Sequence, residues 1–151
     1  MLDDLDRRLL RLLQEDPGQP VPDLAQAAGL TPGRAARRLD RLREAGILRG
    51  QEAVIDWRRL GYEVHVSLRV TLDKGAPRAF EEFLAAARDV PEVVEIQTFL
   101  GQVDVRLSLI ARDLAHYRAI YRDRILTLPR ISDIEALMTL SVLQDNEALP
   151  L

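Results

Sequence analysis

The stretch DLAQAAGLTPGRAARRLDRLREAGIL, residues 23–48, decides how this chain begins to fold. Gly29 closes a short helix that starts near Pro22, whose missing N–H costs nothing in a first helical turn. Thr31 and Pro32 read as N-cap and first residue of a further helix running to about Ala45, with Gly46 as its left-handed stop. Two helices joined by a tight glycine-bearing turn form a helix-turn-helix, and the small Ala25, four residues before Gly29, leaves room for a close crossing. On the later helix Ala35, Leu39 and Leu42 make a stripe to be buried. Arg34, Arg37, Arg38 and Arg41 make a second stripe, turned from the first by about 100°.

Upstream, LDDLDRRLLRLLQED places Leu5, Leu9, Leu12 and Leu13 on one helical face, with Asp3 or Asp4 available as N-cap. DPGQPVP then interrupts the helix. Downstream the period changes. VIDWRRLGY reads as a short strand or wing followed by a linker, and Trp57 in it is expected to pack the two halves of the chain together. EVHVSLRVTL alternates, with Val64, Val66, Leu68, Val70 and Leu72 against His65, Ser67, Arg69 and Thr71. APRAFEEFLAAARDV is a helix from Pro77 with Phe80, Phe83, Leu84 and Ala87 on one face. VVEIQTFL and VDVRLSLIA form a strand pair around Gly101, DLAHYRAIYRDRILTL is a helix capped by Asp113, and ISDIEALMTLSVL is a last strand.

That order is βαββαβ, so the expected fold is α+β: a winged helix-turn-helix followed by a ferredoxin-like half. The expected boundaries are 1–50 for the helix-turn-helix, 51–62 for wing and linker, and 63–151 for the second domain. Both helices of a ferredoxin-like half cover one sheet face. The other face would carry Ile110, Leu137, Leu143 and Phe99 among polar neighbours, a surface suited to self-association.

Composition narrows the function. The 151 residues contain no cysteine, which excludes disulfides, thiolate metal sites and thiol catalysis. No apolar run approaches the roughly 20 residues of a membrane span, and MLDDLDRRLL lacks the positive-then-apolar order of a signal peptide, so a cytoplasmic protein without a membrane partner is expected. Net charge is −3, yet residues 30–50 hold six arginines against Asp40 and Glu44. A solvated face is the bland reading of that cluster. Joined to the turn signature, it reads instead as a helix for the major groove of B-DNA, where arginine pairs with phosphates or reaches guanine edges. Thr31, Gly33, Arg34, Arg37, Arg38 and Arg41 are the DNA-binding candidates, with Arg38 either contacting DNA or bracing the helix.

Taken in order, LDDLDRRLLRLLQED, DLAQAAGLTPGRAARRLDRLREAGILRG, AVIDWRRLGY and the βαββαβ half resemble the Lrp/AsnC (leucine-responsive, feast/famine) transcriptional regulators over nearly the whole chain. The resemblance implies a DNA-binding N-terminal half and a C-terminal half that pairs with its twin and senses a small effector, commonly an amino acid. It also implies homodimers that assemble further into tetramers, octamers or higher species, with double-stranded DNA as the partner. The family's glycine loop, Gly-Asp-Tyr-Asp or close to it, aligns with GQVD here. Gly101, Gln102 and Asp104 are therefore the effector-binding candidates, although Gln102 and Val103 depart from the pattern and remove a partner for an amino acid's ammonium. A simple strand-to-strand turn is the alternative role for Gly101.

No cofactor, metal site or catalytic residue is expected. His65 and His116 have no metal-ligand neighbour at helical spacing. Asp104, Glu95 and Glu135 could approach across the sheet, but nothing in their spacing marks a general acid and base. The siroheme decarboxylases share the two-part architecture, which makes a tetrapyrrole enzyme the alternative function. Their histidine-bearing second-strand segment has no counterpart in EIQTFLGQVDVRLSL. A sensor without DNA contacts is a third reading, opposed by the intact arginine stripe.

Overall fold

The computed structural model describes residues 2–143 and 148–151. The chain divides into two compact units, one running up to Val54 and including residues 148–151, the other Ile55–Leu143. The final residues thus lie with the first unit, where the sequence led us to place them with the second. Residues 144–147 of that expected second domain lie outside the described residues.

Three helices build the first unit: α1 (Asp4–Glu15), α2 (Val21–Ala28) and α3 (Pro32–Glu44). Asp3 caps α1, accepting the Asp6 N–H while the Asp6 carboxylate accepts the Asp3 N–H, a reciprocal box that contributes about 1 kcal/mol. Pro20 precedes α2 without a side-chain cap, and the helix stops at Gly29, whose φ of 72° is left-handed. Thr31 Oγ1 accepts the Arg34 N–H to start α3, and Gly46 ends the turn after it with φ 69°. Leu9, Leu24, Ala25, Ala28, Ala35 and Leu39 form one apolar cluster. Ala25 is completely buried in it, as the glycine–alanine spacing predicts. No strand forms between Glu44 and Val64, so the segment read as a short strand or wing is irregular chain leading to a turn at residues 57–61.

The second unit is a four-stranded antiparallel sheet in the order β2-β3-β1-β4, with β1 Val64–Leu72, β2 Val93–Thr98, β3 Val105–Ala111 and β4 Ile131–Met138. Helices α4 (Ala79–Arg88) and α5 (Leu114–Ile120) are the two crossovers, and α5 continues as a π-turn through Tyr121–Ile125 that local periodicity did not reveal. This is the ferredoxin-like arrangement. Along β1 the even-numbered residues Val66, Leu68, Val70 and Leu72 point inward, opposite Leu109, Leu107 and Val105 of β3, and Phe83, Ala87, Ile120 and Ile125 cover them from the helices. Burying Phe83 completely stabilises this core by about 2–3 kcal/mol. Phe80, expected on the same buried face, is 43% exposed, and Ala79 takes its place inside.

The other sheet face carries His65, Ser67, Arg69, Arg106, Ser108, Ile110, Glu135 and Leu137, as the register requires. Leu143 and Phe99, expected there, lie past the ends of β4 and β2 and are exposed. No helix among the described residues is long and apolar enough to cross a membrane.

Candidate nucleic-acid interface and effector loop

The arginine stripe of α3 separates into two functional pairs. Asp6, on the first turn of α1, is fully buried, and a carboxylate removed from water must be fully hydrogen-bonded. Arg38 Nη1 donates to Asp6 Oδ1 at 2.8 Å and to Asp3 Oδ2 at 2.7 Å, while Arg41 Nη2 donates to Asp6 Oδ2 at 2.7 Å. The Arg38 guanidinium, followed by the Asp6 N–H, holds the Asp3 carboxyl below its usual range, and the two carboxylates raise Arg38 in return. Arg43 pairs with Asp40 along the helix. Arg34 and Arg37 are exposed at the N-terminal half of α3, beside the exposed Thr31 and Gly33. A Cβ at Gly33 would meet nothing within 4 Å, so the glycine leaves open surface there.

Of the six residues singled out for DNA, five (Thr31, Gly33, Arg34, Arg37, Arg41) are exposed, and the first four of these have no ion pair to α1. Arg38 braces α1 against α3, the second of the two roles considered for it, and Arg41 does so while remaining partly exposed. The sequence reading missed the acidic half of this arrangement. A signal was present: Asp3 and Asp6 repeat the three-residue spacing of Arg38 and Arg41.

The glycine loop is stitched to the end of β1. Asp104 accepts the Leu72 N–H at 2.9 Å, its carboxylate lies 3.5 Å from Lys74 Nζ, and the Thr71 hydroxyl donates to the Gln102 carbonyl at 3.1 Å. Gly101 lies in the bend that links β2 to β3, with no left-handed backbone, and a Cβ there would meet nothing within 4 Å. A cavity of about 240 Å³ opens beside the loop, lined by Leu72, Asp73, Lys74, Phe80 and Asp104.

Glu95 and Glu135 do not join Asp104. Glu95 pairs with Arg106 at 2.9 Å and Glu135 with Arg69 at 3.7 Å, which leaves three separate ion pairs rather than a carboxylate cluster. His65 is half-buried between two hydroxyls, 2.7 Å from Ser108 Oγ and 3.1 Å from Thr139 Oγ1. Trp57 stands edge-on to it at 5.7 Å, with Arg58 over the indole at 4.6 Å, so the tryptophan packs within the second unit. Burial first, then the charges of Arg58 and Arg106, lower the His65 pKa. His116 lies 4.0 Å from Glu92, and no group of three His, Asp or Glu able to hold a metal occurs among the described residues.

The fold and patch together define a helix-turn-helix unit joined to a ferredoxin-like unit. A model of the winged helix-turn-helix DNA-binding domain matches residues 2–49, and one of the Lrp/AsnC ligand binding domain matches residues 65–149. The HTH-type transcriptional regulator Zrp of Zymomonas mobilis is 30% identical over 150 residues, covering 99% of this chain and 97% of that protein. The leucine-responsive regulatory protein of Salmonella typhimurium is 29% identical over 98% of this chain and 90% of its own. A transcriptional regulator of Neisseria meningitidis, solved in complex with L-Met, superposes with a TM-score of 0.91 at 27% identity, covering 99% of this chain and 97% of that one. The chain belongs to the Lrp/AsnC family of transcriptional regulators.

Proposed function

We propose that this protein is a cytoplasmic, sequence-specific DNA-binding regulator, working as a homodimer or larger assembly, and that α3 enters the major groove with Thr31, Gly33, Arg34 and Arg37 at the contact. The observation that carries this reading is the exposed Arg34–Arg37 pair on a helix whose other arginines already have carboxylate partners. A chain of net charge −3 is tolerable in such a role because the positive charge is local. Two copies would meet successive groove turns about 34 Å apart and favour a site with two-fold symmetry.

An amino-acid effector is proposed beside the Gly101–Asp104 loop. The L-Met bound to the Neisseria relative supports that class, as does the cavity next to Asp104. Because Gln102 offers no charge and Asp104 is already engaged by Leu72 and Lys74, an ammonium would need a further acceptor. Regulation, rather than chemistry on a tetrapyrrole, fits the patch on α3 and the separation of the three carboxylates.

Replacing Arg37 by alanine tests the DNA reading. Affinity for duplex DNA should fall, with the slope of log affinity against log salt reduced by about 0.9, the release of one phosphate's counterion, and with no change in assembly. Equal affinity and slope in the variant would remove Arg37 from the interface.

A further inference from the structure

Asp6 is an acid on the helix that precedes the helix-turn-helix, completely buried, and held by two arginines of the helix proposed to meet DNA. Arg38 and Arg41 lie one turn apart on α3, so their bonds to one carboxylate form a two-point attachment. Asp3 adds a third point through Arg38, at 2.7 Å. The apolar contacts of Leu9, Ala35 and Leu39 hold the helices together and bury one stripe of α3, but they are non-directional and set its rotation only to within the width of that stripe. Charge-assisted bonds at 2.7–2.8 Å do not. Arg37 follows from Arg38 by one residue, and Arg34 from Arg38 by about one turn, so fixing Arg38 fixes the direction in which the exposed pair points.

We infer that Asp3, Asp6, Arg38 and Arg41 are positioning residues for DNA recognition: they set the rotation and height of α3 so that Arg34 and Arg37 reach the groove in register. This deepens the DNA-binding reading and rests on it. The clamp contributes specificity more than attraction, because non-specific binding needs only nearby positive charge, whereas base contacts need an exact aim.

Asp3→Asn separates this role from the alternative, in which Arg38 itself binds phosphate. Asparagine is as good an N-cap as aspartate, so α1 should remain formed, and thermal unfolding checks that it does. If Arg38 were a phosphate contact, losing a competing carboxylate would strengthen binding to every duplex alike. The clamp predicts the opposite for a preferred site: Asp3→Asn and Arg38→Gln should each lower the ratio of preferred-site to random-duplex affinity by at least about three-fold, with random-duplex affinity in Asp3→Asn unchanged or higher. In the double variant the losses should not add, since both act through one contact. Equal strengthening on both duplexes, or additive losses, overturns the clamp while leaving the DNA reading intact. Wild-type protein that binds neither duplex overturns both, and is recognised before any variant is made.

Discussion

Among single residues, His65 makes the sharpest chemical statement. Both ring nitrogens lie within reach of hydroxyls, the ring is half-buried against Trp57, and burial, Arg58 and Arg106 all disfavour its charged form. Its folded pKa therefore lies below the ordinary 6.5, and the unfolded chain takes up the proton first as pH falls. Above about pH 7.5 both states are neutral and His65 contributes no pH dependence; as pH drops through about 6.5 the unfolded state gains and stability declines. Trp57 is the chain's only tryptophan, so its fluorescence in urea titrations from pH 7.5 to 5.5 reports this unit. The wild type should lose stability on acidification, and His65→Gln, which keeps hydrogen-bonding capacity without a titrating ring, should lose less. The same decline in both would show that the slope arises elsewhere.

Among the elements, what could be read from sequence divides by range. Thr31–Pro32, Gly29 and Gly46 are local stop and start signals, and the end of α2 and both ends of α3 follow from them. The alternation of β1 likewise survives intact, since a strand with one face on the core admits a single register. Where tertiary packing decides, the pattern misled: Phe80 fits the helical period of α4 yet turns outward, and the expected strand after α3 never forms. The Asp3–Asp6 clamp left only its matched three-residue spacing as a signal, for a different reason. Both carboxylates sit where a helix N-terminus welcomes acid anyway, so nothing local distinguishes a cap from a partner for arginines more than 30 residues away. The glycine loop was legible as a place. Asp104's engagement with the end of β1 was not, because it depends on a neighbouring strand.

At the scale of the whole molecule, the uncovered sheet face and the two-fold demands of the groove point the same way. That face combines the exposed Leu137 with ion pairs Arg69–Glu135 and Arg106–Glu95, a mixture suited to a self-complementary contact, while Ile110 is already buried within the chain. A mass in solution of at least twice 17.1 kDa is expected, with a change of mass on adding one of the common amino acids. A monomer at concentrations that saturate DNA would contradict pairing, and an unchanged mass and unchanged DNA affinity across all of them would remove the effector.

The central claim is that the exposed arginines of α3 read DNA sequence, and selection of bound duplexes from fragmented genomic DNA tests it most directly. Enriched fragments sharing a two-fold motif, bound far more tightly than a random duplex and with affinity falling steeply as salt rises, are the predicted result. No enrichment at low salt would contradict it, and would return the arginine stripe to an ordinary solvated face.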